Sequence, residues 1–314
     1  MIGHSNPYIC VIGAANVDIC GYPFAPLEPK TSNLGKISVS IGGVGRNIAE
    51  NIARIGVNTK LITAIGSDGY GRMIEGHCIK AKIDTGEIVQ IQGENSSSYM
   101  AVLDSNNDMN VAIADTHILD NITIDVAESK IPTIRKSAIC VMDAGCTKEV
   151  IKFITDSCPE TIFFLDTVCT VKARKVTSFL GNFHTIKPNI FEAEVLSGIS
   201  IKSKSDIIKA AEIILRKGVR RVFISLAAEG VFYNDSEHNG FMSVKSVNIV
   251  NATGAGDAFV AALACCHLAG FDIITTVKHA LAASHIALSS KEAVNPKMSM
   301  KLLTETVKEL QYVQ

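Results

Sequence analysis

Short apolar runs rich in β-branched residues alternate with stretches of helical periodicity along most of this 314-residue chain, and that alternation restricts the fold more than any other feature. A strand that is apolar on both faces must be covered on both, and a helix after each strand supplies the cover. Strands are expected at 8–12, 60–65, 138–142, 161–165, 184–186 and 221–225. Apolar residues recur with a helical period at 46–55, 71–81, 148–157, 189–197 and 204–217. The pattern predicts a single α/β domain, 1–314, built on a mostly parallel sheet with helices on both faces. Two regions depart from it. Residues 36–41, and 87–92 together with 97–104 and 110–114, alternate polar and apolar side chains, with Asn106-Asn107-Asp108 as a turn signal. Segments around 14–41 and 87–115 are therefore expected to form a small antiparallel β lid. Such a sheet is too small to bury a core of its own, so it should cover a site or meet a second copy of the chain.

Composition excludes several classes. Hydrophobic residues make up 47% and charged residues 19%, which suits a buried core and not a disordered chain. A formal net charge of −1, no Lys/Arg cluster and no Trp argue against nucleic acid as a partner. The longest apolar run, 258–270, is too short to span a bilayer. Nine cysteines without a Cys-x-x-Cys pair fit neither a zinc site nor a secreted disulfide framework. Reduced thiols and a cytoplasmic location are expected. No basic segment precedes 8–12, which reads as a first strand and not a signal peptide.

The chemistry concentrates in a few clusters. Asn251-Ala252-Thr253-Gly254-Ala255-Gly256-Asp257 leads into the apolar run 258–268. A glycine-rich turn opening a helix leaves backbone N–H groups aimed outward, where they favour negative charge. A carboxylate there opposes simple phosphate binding, because two close negative charges repel. The pairing becomes useful when Asp257 removes a proton while the amides of Gly254, Ala255 and Gly256 hold developing phosphate charge. On the plainer reading, Asp257 only stabilises the helix start, by roughly 0.3–1 kcal/mol.

A second cluster, Gly42-Gly43-Val44-Gly45-Arg46-Asn47, also enters a helix, and Asn47 offers both donor and acceptor to a sugar hydroxyl. It is not Gly-x-Gly-x-x-Gly, which weakens a dehydrogenase reading. Asn16 and Asp18 leave the first strand where open parallel sheets bind ligands; an Asx-turn is the alternative. In Lys187-Pro188-Asn189-Ile190-Phe191-Glu192, a capping box between Asn189 and Glu192 accounts for the spacing. The functional alternative places both near a triphosphate, with Glu192 positioning Mg²⁺ through water. Asp143 and Asp166 sit at strand ends, and Ser225 closes a strand before Ala228-Glu229-Gly230. No Gly-x-x-x-x-Gly-Lys-Ser/Thr occurs, and the histidines lack metal-ligand spacing.

Gly42-Gly43 with Asn47, Gly56 and Gly66, then Asn189 with Glu192, then Gly254 to Asp257 resemble, in order and spacing, the ribokinase (PfkB) carbohydrate kinase family. The resemblance covers nearly the whole chain and implies a ribokinase-like fold whose lid covers the substrate. Within the family, the stretches 12–19, 42–49, 93–99 and 187–189 most resemble members that phosphorylate the 5′-hydroxyl of pseudouridine. It implies ATP as donor, Mg²⁺ as its companion, and Asp257 as the base beside the amides of Gly254, Ala255 and Gly256. Asn16, Asp18, Gly43 and Asn47 would bind ribose hydroxyls, the lid around Asn95 and Ser97 would face the uracil, and Gly42 and Asp143 would complete the substrate cleft. Asn189, Ser225, Gly230 and Thr253 would lie along the nucleotide. Asn251 stands where many members carry an acid that helps hold a monovalent cation, which leaves a K⁺ requirement open. Alternatives on the same scaffold are a ribokinase, a fructokinase, an adenosine-type kinase and a sugar sensor without catalysis. A homodimer through the lid edge is expected.

Overall fold

The computed structural model of the chain describes residues 7–104, 106, 108–245 and 249–313; Asn107 of the expected lid turn lies outside them. Its strands, in chain order, are β1 (Tyr8–Ile12), β2 (Asn16–Pro23), β3 (Gly35–Gly42), β4 (Asn58–Ile62), β5 (Ala64–Gly66), β6 (Val89–Ile91), β7 (Ser98–Leu103) and β8 (Met109–Asp115). They continue as β9 (Ile139–Asp143), β10 (Phe163–Asp166), β11 (Thr185–Lys187), β12 (Arg221–Ser225), β13 (Val231–Asn234), β14 (Asn239–Val244) and β15 (Tyr312–Val313).

The main sheet runs β15-β14-β13-β12-β11-β10-β9-β1-β4. From β4 to β12 every pairing is parallel, and the last three strands turn antiparallel. Side-chain alternation divides the core in two. Ile9 and Val11 of β1 face one layer, packed with the helices Val44–Ile55, Ala255–Leu268 and Ile273–Leu288. Cys10 and Ile12 face the other, with the helices Ile124–Lys136, Lys148–Ser157 and Lys204–Arg216. Ala255–Leu268 is apolar nearly all round because it is wedged between Val44–Ile55 and Ile273–Leu288.

Chain order fixes where a ligand belongs. From β1 the chain steps outward to β4 and later returns to the opposite side of β1 at β9. Their carboxyl ends therefore diverge at a switch point, the crevice where open α/β sheets bind ligands. The loops after β1 and β9 border it, and both glycine-entered helices begin beside it.

A second sheet, β3-β2-β7-β8, is the lid. Its outer pairings are antiparallel, while the central β2–β7 pairing is parallel. Register gives it two unlike faces. Asn16, Asp18, Cys20, Ser38, Ser40 and Tyr99 share one; Ile19, Ile37, Val39, Met100, Val111 and Ile113 share the other.

The expected strand 60–65 breaks at the buried Thr63, and its second half, β5, pairs in parallel with β6. The segment 87–92 thus leaves the lid for a separate two-stranded sheet. The helices Ile124–Lys136, Thr170–Val176, Ile273–Leu288 and Met300–Glu309 and the strands β13–β15 are additions to the expected elements. All nine cysteines are free thiols, most of them buried. Among the described residues, no helix is long and apolar enough to cross a membrane.

Candidate active site

Helix starts reveal the site. Side chains cap the helices beginning at Gly69, Ile124, Lys148, Ile190, Lys204, Ile273 and Met300. The helices Val44–Ile55 and Ala255–Leu268 start at glycines with no side-chain cap, as does the short helix Thr170–Val176 at Cys169. Gly254 adopts φ 82°, and a Cβ there would meet the Ala293 carbonyl at 1.8 Å, so only glycine makes this turn. The first helical bond runs from Ala258 N–H to Gly254 O. The amides of Ala255 and Gly256 are left without intrahelical partners, next to exposed space at Gly256. Such a start holds an anion through its N–H groups and the helix dipole.

Asp257 lies one turn inside, 9% exposed. Burial, together with the nearby Asp166 carboxylate, pushes its pKa from 3.8 up to about 7; Asn47, Lys187 and Arg46 pull the other way. Asn47 Nδ2 donates to Asp257 Oδ2 at 2.7 Å. A carboxyl poised near neutrality is matched to taking a proton from an alcohol.

On the lid side, Asn16 Nδ2 donates to Asp18 Oδ1 at 2.5 Å, and burial raises the pKa of Asp18 against the pull of Asn16 and Arg46. A Cβ on Gly42 would touch this pair, and Gly43, at φ 96°, brings its backbone against the carbonyl of Ala14. Asn16, Asp18, Gly42, Gly43 and Asn47 thus converge on one flank of Asp257. Ser97 is buried at the foot of β7, with its carbonyl accepting from Val17 N–H, and Asn95 is exposed just before it.

A buried positive charge stands on the other flank. Lys187, at the end of β11, is 8% exposed and lies 3.5 Å from Asp166 Oδ2. Burial works against its ammonium, but Asp166, Glu192 and Asp257 outweigh burial and raise its pKa. A Cβ on Gly256 would sit 3.4 Å from Lys187 Nζ, so this charge stands beside the uncapped helix start. The residue types alone singled out the Lys-Pro-Asn run but not Lys187 itself. The available signal was a lysine closing a buried parallel strand, where only a paired charge is tolerated. Asn189 and Ser225 meet as neighbouring strand ends, and Ser225 N–H donates to the Pro188 carbonyl.

Two expectations change. Asp143 is 1% exposed, and its oxygens accept from the amides of Ala14, Gly45 and Gly145 at 2.7, 3.0 and 2.7 Å. Its carboxylate ties the loop after β1 and the glycine-entered start of the helix Val44–Ile55 to β9, so its bonds in the structure serve to position the cleft. Glu192 forms the capping box with Asn189 and also accepts from Thr167 Oγ1 at 2.5 Å, so protein donors fix both of its oxygens and leave only the water-mediated approach to Mg²⁺ that was expected. Gly230 turns β12 into β13 against Met242 and Ser243, a packing need that accounts for the glycine. Thr253 is exposed at the mouth, its N–H held by Asn251 Oδ1.

Asn251 Nδ2 also donates to the Lys291 carbonyl at 2.9 Å. A monovalent cation at this loop would need that carbonyl and further oxygens, and the amide offers it an N–H instead. The residues present do not fit K⁺. For Mg²⁺ the fit is different. Among the described residues, no cluster of three His, Cys, Asp or Glu forms a metal cage. Asp166 and Glu192 near the anion site suit an ion that keeps its waters and arrives on a triphosphate.

An uncapped helix start, a buried lysine beside it and a near-neutral acid between the two flanks define a phosphotransferase acting on a hydroxyl group. A profile of the pfkB family of carbohydrate kinases matches residues 6–300, and the chain belongs to that family. It is 36% identical over 294 residues to pseudouridine kinase of Escherichia coli strain K12, covering 93% of this chain and 94% of that one. It is 30% identical over 265 residues to guanosine-inosine kinase of Exiguobacterium acetylicum, covering 81% and 86%. In fold it matches Arabidopsis thaliana ribokinase complexed with ribose and ATP, with a TM-score of 0.86 at 19% identity, over 97% and 99% of the chains.

Proposed function

We propose that this kinase transfers the γ-phosphoryl group of ATP to the 5′-hydroxyl of pseudouridine. The observation that carries the reading is Asp257, a buried acid near neutrality flanked by Asn47 on the sugar side and by Lys187 and the helix amides on the phosphate side. The 36% relative that acts on pseudouridine supports the choice of nucleoside. Asn16, Asp18, Gly43 and Asn47 hold the ribose, and the polar lid face with Asn95 and Ser97 meets the base. Asp257 takes the hydroxyl proton as the oxygen bonds to phosphorus, the bond to the β-phosphate oxygen breaks, and ADP leaves. The amides of Gly254, Ala255 and Gly256 with Lys187 hold the charge that develops. Mg²⁺, held through water by Glu192 and Asp166, would neutralise phosphate charge and align the donor. Asn189 and Ser225 border the nucleotide. Lid closure excludes water as a competing acceptor.

The guanosine-inosine kinase relative gives the second reading, a kinase for another nucleoside. ADP release with pseudouridine, uridine, inosine, adenosine, ribose and fructose decides between them. Pseudouridine should give the highest kcat/KM; a purine nucleoside or free sugar in first place would replace the assignment. Free thiols suit the cytoplasm. The apolar lid face, with Ile37, Val39, Met109, Val111 and Ile113 all exposed, suits a second copy of the same face in a homodimer.

A further inference from the structure

Arg46 stands behind the Gly42 and Asn47 flank of the cleft, is 2% exposed and is among the largest fully buried side chains. Burying a guanidinium is costly unless its donors are met, and here four of the five N–H groups find partners among the described residues. Nε donates to the Gly42 carbonyl at 3.3 Å and Nη2 to the Ile41 carbonyl at 2.6 Å. Nη1 pairs with Glu50, and Nη2 also donates to Asn47 Oδ1. Glu50, itself 2% exposed, is further held by Arg54, whose other nitrogen reaches the Pro296 carbonyl at 2.7 Å.

The bond to Asn47 has a chemical consequence. A guanidinium has no acceptor, so the Asn47 side chain must turn its oxygen toward Arg46 and its nitrogen away. That nitrogen faces Asp257 Oδ2. The amide cannot flip without losing both bonds. The other carboxylate oxygen, Oδ1, receives no hydrogen bond from the described residues.

We propose that Arg46 is a positioning residue for phosphoryl transfer: it locks the Asn47 amide as a donor to one oxygen of Asp257 and so leaves the other oxygen to receive the hydroxyl proton. This rests on Asp257 being the base. It also makes Asn47 a donor only toward the sugar, since its oxygen is taken. The charged and titratable groups around Asp257 are Arg46 from the helix Val44–Ile55, Asp166 from β10 and Lys187 from β11. Those around Arg46 are Glu50, Asp18, Cys78 and Asp257. Near Glu50 sits His77, whose pKa burial lowers.

Two variants test it. Arg46→Lys keeps a charge opposite Glu50 but cannot bridge Glu50, Asn47 and two carbonyls at once. Arg46→Met combined with Glu50→Gln removes both buried charges together, so that no lone carboxylate remains to prevent folding. Steady-state ADP release with pseudouridine is followed against pH, with melting temperature as the check on folding. Both variants should lower kcat by about tenfold or more, the scale of a modest misplacement of reacting groups. Both should move the acid limb of kcat/KM to higher pH, the Met/Gln pair further, because Asp257 loses a held donor and a nearby positive charge. A folded protein whose acid limb stays in place in both variants overturns the proposal, even if its melting temperature falls. Asp257→Asn separates the two levels: normal turnover there removes the base itself, whereas a dead Asp257→Asn with unmoved Arg46 variants removes only the positioning role.

Discussion

Replacing Asp257 by Asn should push activity and stability in opposite directions, because the buried site that makes the acid useful also penalises its charge. In the folded chain its pKa rises from 3.8 to about 7. A raised folded value means the native state binds the proton more tightly than the unfolded chain does. The associated stability is fully present below about pH 4 and is lost as the pH climbs through about 7. That gap of about three pH units corresponds to ~4 kcal/mol, already net of the help from Asn47, Lys187 and Arg46. Asn has no charge to bury and can still accept from Asn47 Nδ2. At about pH 8 the variant should therefore be more stable by up to ~4 kcal/mol, shrinking to under about 2 kcal/mol near pH 5. Urea unfolding at the two pH values measures this. The same variant should bind ATP but lose about 10²–10⁴ in rate, equivalent to roughly 3–5.5 kcal/mol of barrier. A variant that is less stable at both pH values, or equally advantaged at both, would refute the burial argument; near-normal turnover would refute the base.

Lys187→Met should raise KM for ATP and lower kcat by about 10²-fold, the scale of losing one oxyanion-type donor. Without the ammonium, which lowers the pKa of Asp257, the acid limb should shift upward; an unchanged limb would separate Lys187 from the site. Turnover should be the same in K⁺ and Na⁺, because Asn251 already satisfies the Lys291 carbonyl; strong activation by K⁺ would contradict that geometry. Ile113→Asp, on the exposed apolar lid face, should yield a monomer by sedimentation where the unmodified chain is a dimer. A monomeric unmodified chain would end the lid-dimer reading.

Much of the fold was legible because strands buried on both faces leave continuous apolar runs. β1, β12 and the helix Lys148–Ser157 lie where periodicity placed them. The helix Ile124–Lys136 was hidden by Pro132, which reads as a breaker but is tolerated within it. In the lid, side-chain alternation reports faces but not strand direction, so the parallel β2–β7 pairing could not be read. The same alternation drew 87–92 into the lid, although β6 pairs with β5. Within the site, glycine turns and Asp257 stood out because their spacing has few uses. Asp143 and Asp166 looked alike as strand-end acids, and only three dimensions separate them. One gathers backbone amides, while the other faces Lys187. Arg46 gave no signal at all, since a helical arginine is ordinarily solvated.

The most direct measurement is the pH dependence of kcat/KM for pseudouridine with saturating ATP. A base that must shed its proton before it can accept another predicts a rate that climbs through about pH 7 and then levels. A flat profile across that range, or one that falls as the pH rises through it, would contradict the assignment of proton removal to Asp257.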